Sequence, residues 1–458
     1  MRRLNRREFL AGVVGGAAAL GLAACGSGSS GTSVGLPAAR PRRAPGTRPY
    51  PKRPVGYDSI PEIRHVLVFM QENHSFDNVF GVLGRGDGLT IGPDGLPTNT
   101  NPGPGGELVR SFPMPTPCQL PHQPSQTWNA SHLQYDHGTN QGFVNSPSGP
   151  VAMGYFTEQD LPFSYRLARV FPLGDRYFCS LLGQTFPNRR YLLAATSVGM
   201  VNDVVAQLDT MPARGTIFQL LTKVGIPWRN YYTPPSLPTA DVFLPQMNDP
   251  AIKANVVPID QFFTDAATGS LPAFAVVDPN FSSTSEENPQ DVYPGDQLLA
   301  QVVHALFESP AWPHTLLLWT YDEHGGYYDH VPPPAAPVPD DVPPAITVPP
   351  DQPGTFGRYG FRVPAVVVSP YAKPHHVSHQ VYDHTSVLAF IERKWNLPAL
   401  TYRDANANDL SDFLELGART PPFLTPPDLP TPPATTPLEA CDATGPGTIP
   451  LPSAVVRR

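Results

Sequence analysis

Short runs of apolar and β-branched residues recur along this chain, and each breaks off at a polar cluster. Ile63 to Met70 reads Ile-Arg-His-Val-Leu-Val-Phe-Met and stops at Gln71-Glu72-Asn73-His74-Ser75-Phe76-Asp77. Trp312 to Tyr321 stops in the same way at Asp322-Glu323-His324-Gly325-Gly326. Two further runs, Ala273–Val277 before Asp278 and Val363–Val368 before Ser369-Pro370, have the length and composition of strands buried on both faces. Helical patterns fall between them, over Asp296–Ser309 and Thr385–Trp395. The first carries apolar residues at Leu298, Leu299, Val302, Val303 and Leu306. Buried strands alternating with helices predict an α/β fold built on a mostly parallel sheet, with ligands bound beyond the carboxyl ends of its strands.

Composition narrows this further. The chain has 458 residues, enough for one large catalytic domain with appendages or for two domains, and 40% of them are hydrophobic. Sixty prolines and 38 glycines require long loops between the elements and argue against a helical bundle, a coiled coil or a solenoid. Without the first 24 residues the balance is 27 Lys and Arg against 38 Asp and Glu. A nucleic-acid binder needs a basic face, so no nucleic-acid partner is expected.

The ends of the chain read as appendages. Residues 1–25 combine a charged start, a short apolar stretch and a small-residue processing site. Asn5-Arg6-Arg7-Glu8-Phe9-Leu10 resembles a twin-arginine export signal, and Leu22-Ala23-Ala24-Cys25 resembles a lipobox whose Cys becomes the acylated first residue. The apolar stretch is short for a permanent span. The expected location is therefore the outer face of the cytoplasmic membrane, held by a lipid anchor, or outside the cell if the Cys is not acylated. Residues 26–58, Gly/Ser-rich and then Pro/Arg-rich, read as a flexible tether. Residues 59–418 would form the catalytic domain. The Pro/Thr-rich tail, 419–458, is expected to be extended and to pack along the domain. Cys118, Cys179 and Cys441 allow one disulfide, and spacing does not say which.

Glu72, Asn73, Asp322 and Glu323 stand at two strand ends and offer oxygen ligands for a divalent cation, with Ca, Mn, Mg and Zn all open. Gly325 and Gly326 permit a sharp turn or a close approach of the backbone. Asp383 before Thr385-Ser386 reads as a helix cap. The Pro-rich stretch from Pro332 to about Pro353 follows the second acidic strand end and could form a rim over the site.

Four segments resemble the bacterial phospholipase C and acid phosphatase family, a branch of the alkaline phosphatase superfamily. They are Val68–Asp77, Thr185-Phe186-Pro187-Asn188-Arg189, Tyr321–Val331 and Tyr382-Asp383-His384-Thr385-Ser386. The resemblance runs in order from about Ile60 to Phe413. It implies an alkaline phosphatase-like fold in which Glu72, Asn73, Asp322 and Glu323 bind metal. It also implies that Thr185 both approaches the metal and attacks phosphorus, a role in which a hydroxyl needs a metal to stabilise its alkoxide. His122 is the match for a phosphate-contacting histidine, although the acidic residue usual before it is absent. His324 and His384 are further candidates for substrate phosphate or for orienting the carboxylates. Arg189 offers a guanidinium suited to phosphate oxygens, with a structural ion pair as its alternative.

One position departs from the pattern. Glu286-Glu287-Asn288-Pro289 stands where relatives commonly have Glu-His-Pro, so Asn288 occupies the place of a histidine able to protonate the leaving group. Either His324, His384 or Glu287 takes that role, or the leaving group needs little protonation, or activity is reduced. The expected function is an exported, metal-dependent phospholipase C that forms a phosphothreonine at Thr185. The rivals are an acid phosphatase-like phosphomonoesterase and a non-catalytic surface lipoprotein that binds phosphorylated ligands. Choline preference is doubtful, because the chain ends too soon after Asp412-Phe413 for the extra β domains of phosphocholine-specific relatives.

Overall fold

A computed structural model describes residues 43–115, 117–118, 124–288 and 290–433, together with the backbone of a short strand, Val456–Arg457. The signal expected over 1–25, tether residues 26–42, most of the tail beyond 433, and His122 lie outside the described residues.

Eight strands form the central sheet: β1 (His65–Gln71), β2 (Leu173–Gly174), β3 (Trp228–Tyr232), β4 (Val256–Pro258), β5 (Phe274–Val277), β6 (Thr315–Tyr321), β7 (Ala365–Val368) and β8 (Val377–Ser378). Their spatial order is β8-β2-β7-β6-β1-β5-β3-β4. Only β7 runs against the others, so the sheet is mostly parallel, as the alternation of strands and helices predicts. The long strands lie at the centre, and β6 is buried at every position. This explains why they read as unbroken apolar runs rather than alternating ones.

Three helices matter for the site: α1 (Thr185–Ala194), α2 (Tyr293–Phe307) and α3 (Thr385–Trp395). α1 packs against α3, and α2 packs against the helix Pro162–Val170. α2 begins three residues before the expected Asp296, with a proline in its first turn, where the ring is preorganised. Asp296 instead caps its neighbour, accepting from the backbone N–H groups of Phe163 and Ser164, each at 2.8 Å. Trp312–His314 forms a 3₁₀ turn rather than the start of β6, because Pro313 has no N–H for the ladder.

Both appendages pack on the domain where they are described. Residues 43–58 are not a free tether. Asn396, the left-handed residue that ends α3, donates through Nδ2 to the carbonyls of Tyr50, Arg53 and Pro54 at 2.9 Å. Gly56 N–H donates to Trp395 O at 2.8 Å. Composition alone points to flexibility here because the partners lie some 340 residues away. The tail to Pro433 runs along α2, accepting from His304 at Leu429 O and from Tyr293 and Gln297 at Pro433 O. Cys118 is disulfide-bonded, and Cys179 is a buried free thiol.

A buried ion cluster fastens the turn that follows β1. The Arg362 guanidinium bonds Asp329 at 2.9 Å and Asp77 at 3.0 Å. His330 contacts Asp77 at 2.7 Å and Asp87 at 3.3 Å. Burial by itself would lower the His330 pKa, but the Asp77 hydrogen bond and the Asp77 and Asp329 charges outweigh it and raise the group to about 9, against Arg362. The stabilisation from this charge is fully present below about pH 6.5 and is lost as pH rises through about 9. The wild-type chain should therefore lose roughly 1–3 kcal/mol between pH 7 and 10 that His330→Gln does not lose, read from paired melts.

Candidate active site

In the parallel pairing of β1 and β6, Gln71 stands opposite Tyr321, so the residues that follow leave the sheet side by side. Asp322 N–H donates to Gln71 O at 3.1 Å, and Glu72 N–H donates to Ser285 O at 2.9 Å. Strand register thus gathers Glu72, Asp322 and Glu323, and the second bond holds the Ser285–Asn288 segment against them. His74 adds to this hold, with Nε2 2.8 Å from Glu286 O and Nδ1 2.8 Å from Asn78 Oδ1. Gly325 and Gly326 have φ of +65° and +79°, and a Cβ at Gly325 would run into the Asn73 carbonyl. Gly325→Ala should cost roughly 1–3 kcal/mol through both strain and overpacking. It should also lower kcat at least tenfold by displacing Asn73, which melting and steady-state assays check.

Thr185 does not sit in a loop. α1 starts at Thr185, and Pro187 falls in its first turn, where the missing N–H has no helical partner to lose. Asn188 braces the preceding loop rather than facing a substrate. Its Oδ1 accepts from Ser180 and Leu181 N–H at 2.8 and 3.2 Å, and its Nδ2 donates to Gly183 and Gln184 carbonyls at 3.0 Å. The hydroxyl of Thr185 lies 3.5 Å from Asn73 Oδ1, at the positive end of the α1 dipole. Phe186 N–H donates to Asp203 Oδ1 at 2.7 Å.

Arg189 is placed one turn along α1, beneath the carboxylates. Its Nε donates to Asp322 at 3.0 Å, Nη1 to Thr239 at 2.9 Å and Asp278 at 3.2 Å, and Nη2 to Met70 O and Glu72 at 3.3 Å. Those bonds use all five N–H groups of a guanidinium. Arg189 lines the cavity, but these acceptors occupy its N–H groups, which supports the alternative reading of it as a buried ion pair that orients Glu72 and Asp322.

The histidines are similarly committed. His384 Nε2 bonds the Asp322 carbonyl at 2.7 Å and Nδ1 lies 3.3 Å from the Tyr177 hydroxyl, so Nε2 carries the proton and Tyr177 donates to Nδ1. His324 Nε2 bonds Gln134 at 2.7 Å, and its Nδ1 stands 3.3 Å from Glu323 without hydrogen-bond geometry. Burial lowers His384 to about 4 and His324 to about 3, so both are neutral. His384 holds the backbone of Asp322, His324 holds Gln134, and neither lines the cavity. Asn288 accepts from the Tyr327 hydroxyl at 2.7 Å. Asp383 precedes the residue that caps α3, and its carboxylate accepts from the Ser180 and Thr385 hydroxyls.

The cavity in front of Thr185 measures about 370 Å³. Glu72, Arg189, Asp203 and Glu287 join Thr185 in its polar lining, and Leu208, Leu237, Val242 and Phe281 supply its apolar lining. None of its lining residues comes from the Pro-rich 332–353 stretch, which packs elsewhere, for example through Ala345 N–H on Gly199 O. Asp203 carries no sequence signal, being an isolated Asp far from any strand end. Asp278, which holds Arg189 and Thr239, could have been found, because it ends β5 as Glu72 follows β1.

Burial pushes Glu72, Asp322 and Glu323 above the usual carboxylate range, and the Asp322 charge adds to the effect on Glu72 and Glu323. Burial, with repulsion from Asp322, raises Asp203 and Glu287 to about 7 each. One arginine does not balance five acids. Glu323 Oε1 and Asn73 Nδ2 are buried without hydrogen-bond partners. Among the described residues no three His, Cys, Asp or Glu form a closed metal cage. The donors that could hold a divalent cation are instead mixed: Glu72, Asn73, Thr185, Asp322 and Glu323, an oxygen-rich set suited to a hard ion.

Residues 63–398 match the model of the phosphoesterase family. The chain belongs to that family. This phosphoesterase is 29% identical to phospholipase C A of Mycobacterium tuberculosis (strain CDC 1551 / Oshkosh), across 93% of this chain and 88% of that one. It is 32% identical to non-specific phospholipase C6 of Arabidopsis thaliana, across 77% of this chain and 72% of that one. Among solved structures, a protein of the alkaline phosphatase superfamily from Vibrio parahaemolyticus is similar, with a TM-score of 0.35, 11% identity and coverage of 70% of this chain and 74% of that one. The phosphoesterase is thus a hydrolase of phosphoester bonds.

Proposed function

We propose that this phosphoesterase is a metal-dependent phospholipase C that is exported and held at the membrane by an acylated Cys25. The single observation that carries the catalytic reading is the meeting of a hydroxyl, Thr185, with Glu72 at one cavity, 3.5 Å from Asn73 and beside the strand end that carries Asp322-Glu323. A divalent cation on those oxygens would stabilise the Thr185 alkoxide and the charge developing on phosphoryl oxygen. Thr185 Oγ1, its hydroxyl proton released to solvent, would attack phosphorus, forming the O–P bond of a phosphothreonine as the bond to the diacylglycerol oxygen breaks. The diacylglycerol oxygen takes up a proton, and water then cleaves the phosphothreonine to release the phosphorylated headgroup. Of the three candidates to supply the proton in place of a histidine at Asn288, Glu287 is the one that lines the cavity. The apolar wall favours a substrate with an apolar portion, and the two relatives carry the name phospholipase C.

A side-by-side rate assay on p-nitrophenyl phosphate and p-nitrophenyl phosphorylcholine, with a chelated sample as control, tests this reading. Faster turnover of the diester, lost on chelation and restored by a divalent cation, is the expected result. Faster turnover of the monoester would make the chain a phosphatase, and inactivity on both would favour a binding lipoprotein.

A further inference from the structure

The apolar wall of the cavity continues onto the surface. Leu237 both lines the cavity and is 53% exposed. Beside it, Asp203 and Leu208 line the cavity while the two residues following Asp203, Val204 and Val205, turn outward at 40% and 71% exposure. Leu244, 36% exposed, is tied to this turn by its N–H on Leu208 O at 3.0 Å. Four large exposed aliphatic side chains thus lie at or within two residues of positions that line the cavity holding Thr185. Single exposed aliphatics are ordinary, but a group of them continuous with a substrate cavity is not.

The charge around this lip selects its partner. No Lys, Arg or His occurs between Arg190 and Arg214, between Arg229 and Lys253, or from Pro279 to Asn288. Those stretches instead hold Asp203, Asp209, Asp241, Asp249 and Glu287, besides the buried Glu286. A surface of this kind gains nothing from anionic headgroups, which attract clustered Lys and Arg. It gains from burying aliphatic side chains at the acyl boundary.

We propose that the Val204-Val205, Leu237 and Leu244 lip is a lipid-docking surface that seats the cavity mouth on a zwitterionic lipid layer. This rests on the phospholipase reading for its role, since a lipid would pass from the layer into the cavity without crossing water. It does not rest on that reading for binding itself.

The test is partition of the full-length chain onto phosphatidylcholine vesicles by sedimentation, in a Thr185→Ala background so that no lipid is consumed. Val205→Glu and Val205→Trp are compared with the parent, the N-terminal segment being common to all. Val205 is a surface residue outside the cavity, so both variants should melt with the parent. Val205→Glu should weaken partition about tenfold or more, and Val205→Trp should strengthen it. With Thr185 restored, Val205→Glu should slow hydrolysis of vesicle phosphatidylcholine while turnover of soluble p-nitrophenyl phosphorylcholine stays unchanged. Equal partition of the three chains would overturn the proposal, as would partition that rises with added phosphatidylglycerol. A chain dimer that Val205→Glu dissociates would also overturn it, by giving the lip to a second copy. Binding that depends on Val205 with no phospholipid hydrolysis would sink the phospholipase reading and leave the docking surface standing.

Discussion

Thr185→Ala should abolish turnover of phosphoesters and leave the fold in place. The side chain is small, sits in the first turn of α1 and makes a single weak contact, 3.5 Å from Asn73. Its loss therefore costs packing of about 1 kcal/mol or less. The chemical loss should be far larger, because Thr185 is the hydroxyl proposed to form the covalent intermediate, whereas Thr239, which also lines the cavity, is tied up by Asp278 and Arg189. A fall on the order of 10⁴-fold or more in kcat is expected. Thr185→Ser should keep part of the rate, since it retains the oxygen and loses only the methyl group that restricts its rotamer. The measurement is single-turnover kinetics with mass detection of a phosphorylated Thr185 peptide in the parent chain. Parental turnover by Thr185→Ala would remove the residue from the mechanism.

Arg189→Met is the second large effect, and it falls on stability as well as rate. The guanidinium is fully buried and pairs with Glu72, Asp278 and Asp322, at 3.3, 3.2 and 3.0 Å. Its removal leaves three buried acids facing one another and the nearby Glu323. Removing one partner of a buried ion pair costs about 3–5 kcal/mol. Arg189→Lys should not rescue it, because one ammonium with three donors cannot replace a planar fork with five. A divalent cation should recover part of the loss in Arg189→Met, being the other source of positive charge for these carboxylates. Chemical denaturation with and without chelator checks both points. A loss below about 1 kcal/mol would show that the acids do not depend on Arg189.

The sequence by itself determined the strands that build the site and the acids at their ends. An apolar run buried on both faces has only one chemical signature, and a sudden change to Glu-Asn or Asp-Glu-His-Gly-Gly marks where the sheet stops. Hence β1, β5, β6 and β7 are legible, as is α3, and so are Glu72, Asn73, Asp322 and Glu323 as candidates. The family likewise follows from local motifs. The tertiary structure alone decided what each polar side chain does. Arg189 and His384 look like substrate groups until their hydrogen bonds are traced to Glu72, Asp278 and the carbonyl of Asp322, partners 62 to 133 residues away. Asp203 enters the cavity because a turn folds over the start of α1, and residues 43–58 lose their freedom because Asn396 and the neighbouring Trp395 are there to bind them. Hydrogen bonding and charge pairing are satisfied in space rather than along the chain, so a strand end can be read from a few neighbouring residues, whereas the role of a buried arginine or histidine depends on which distant acceptors the fold brings within 3 Å.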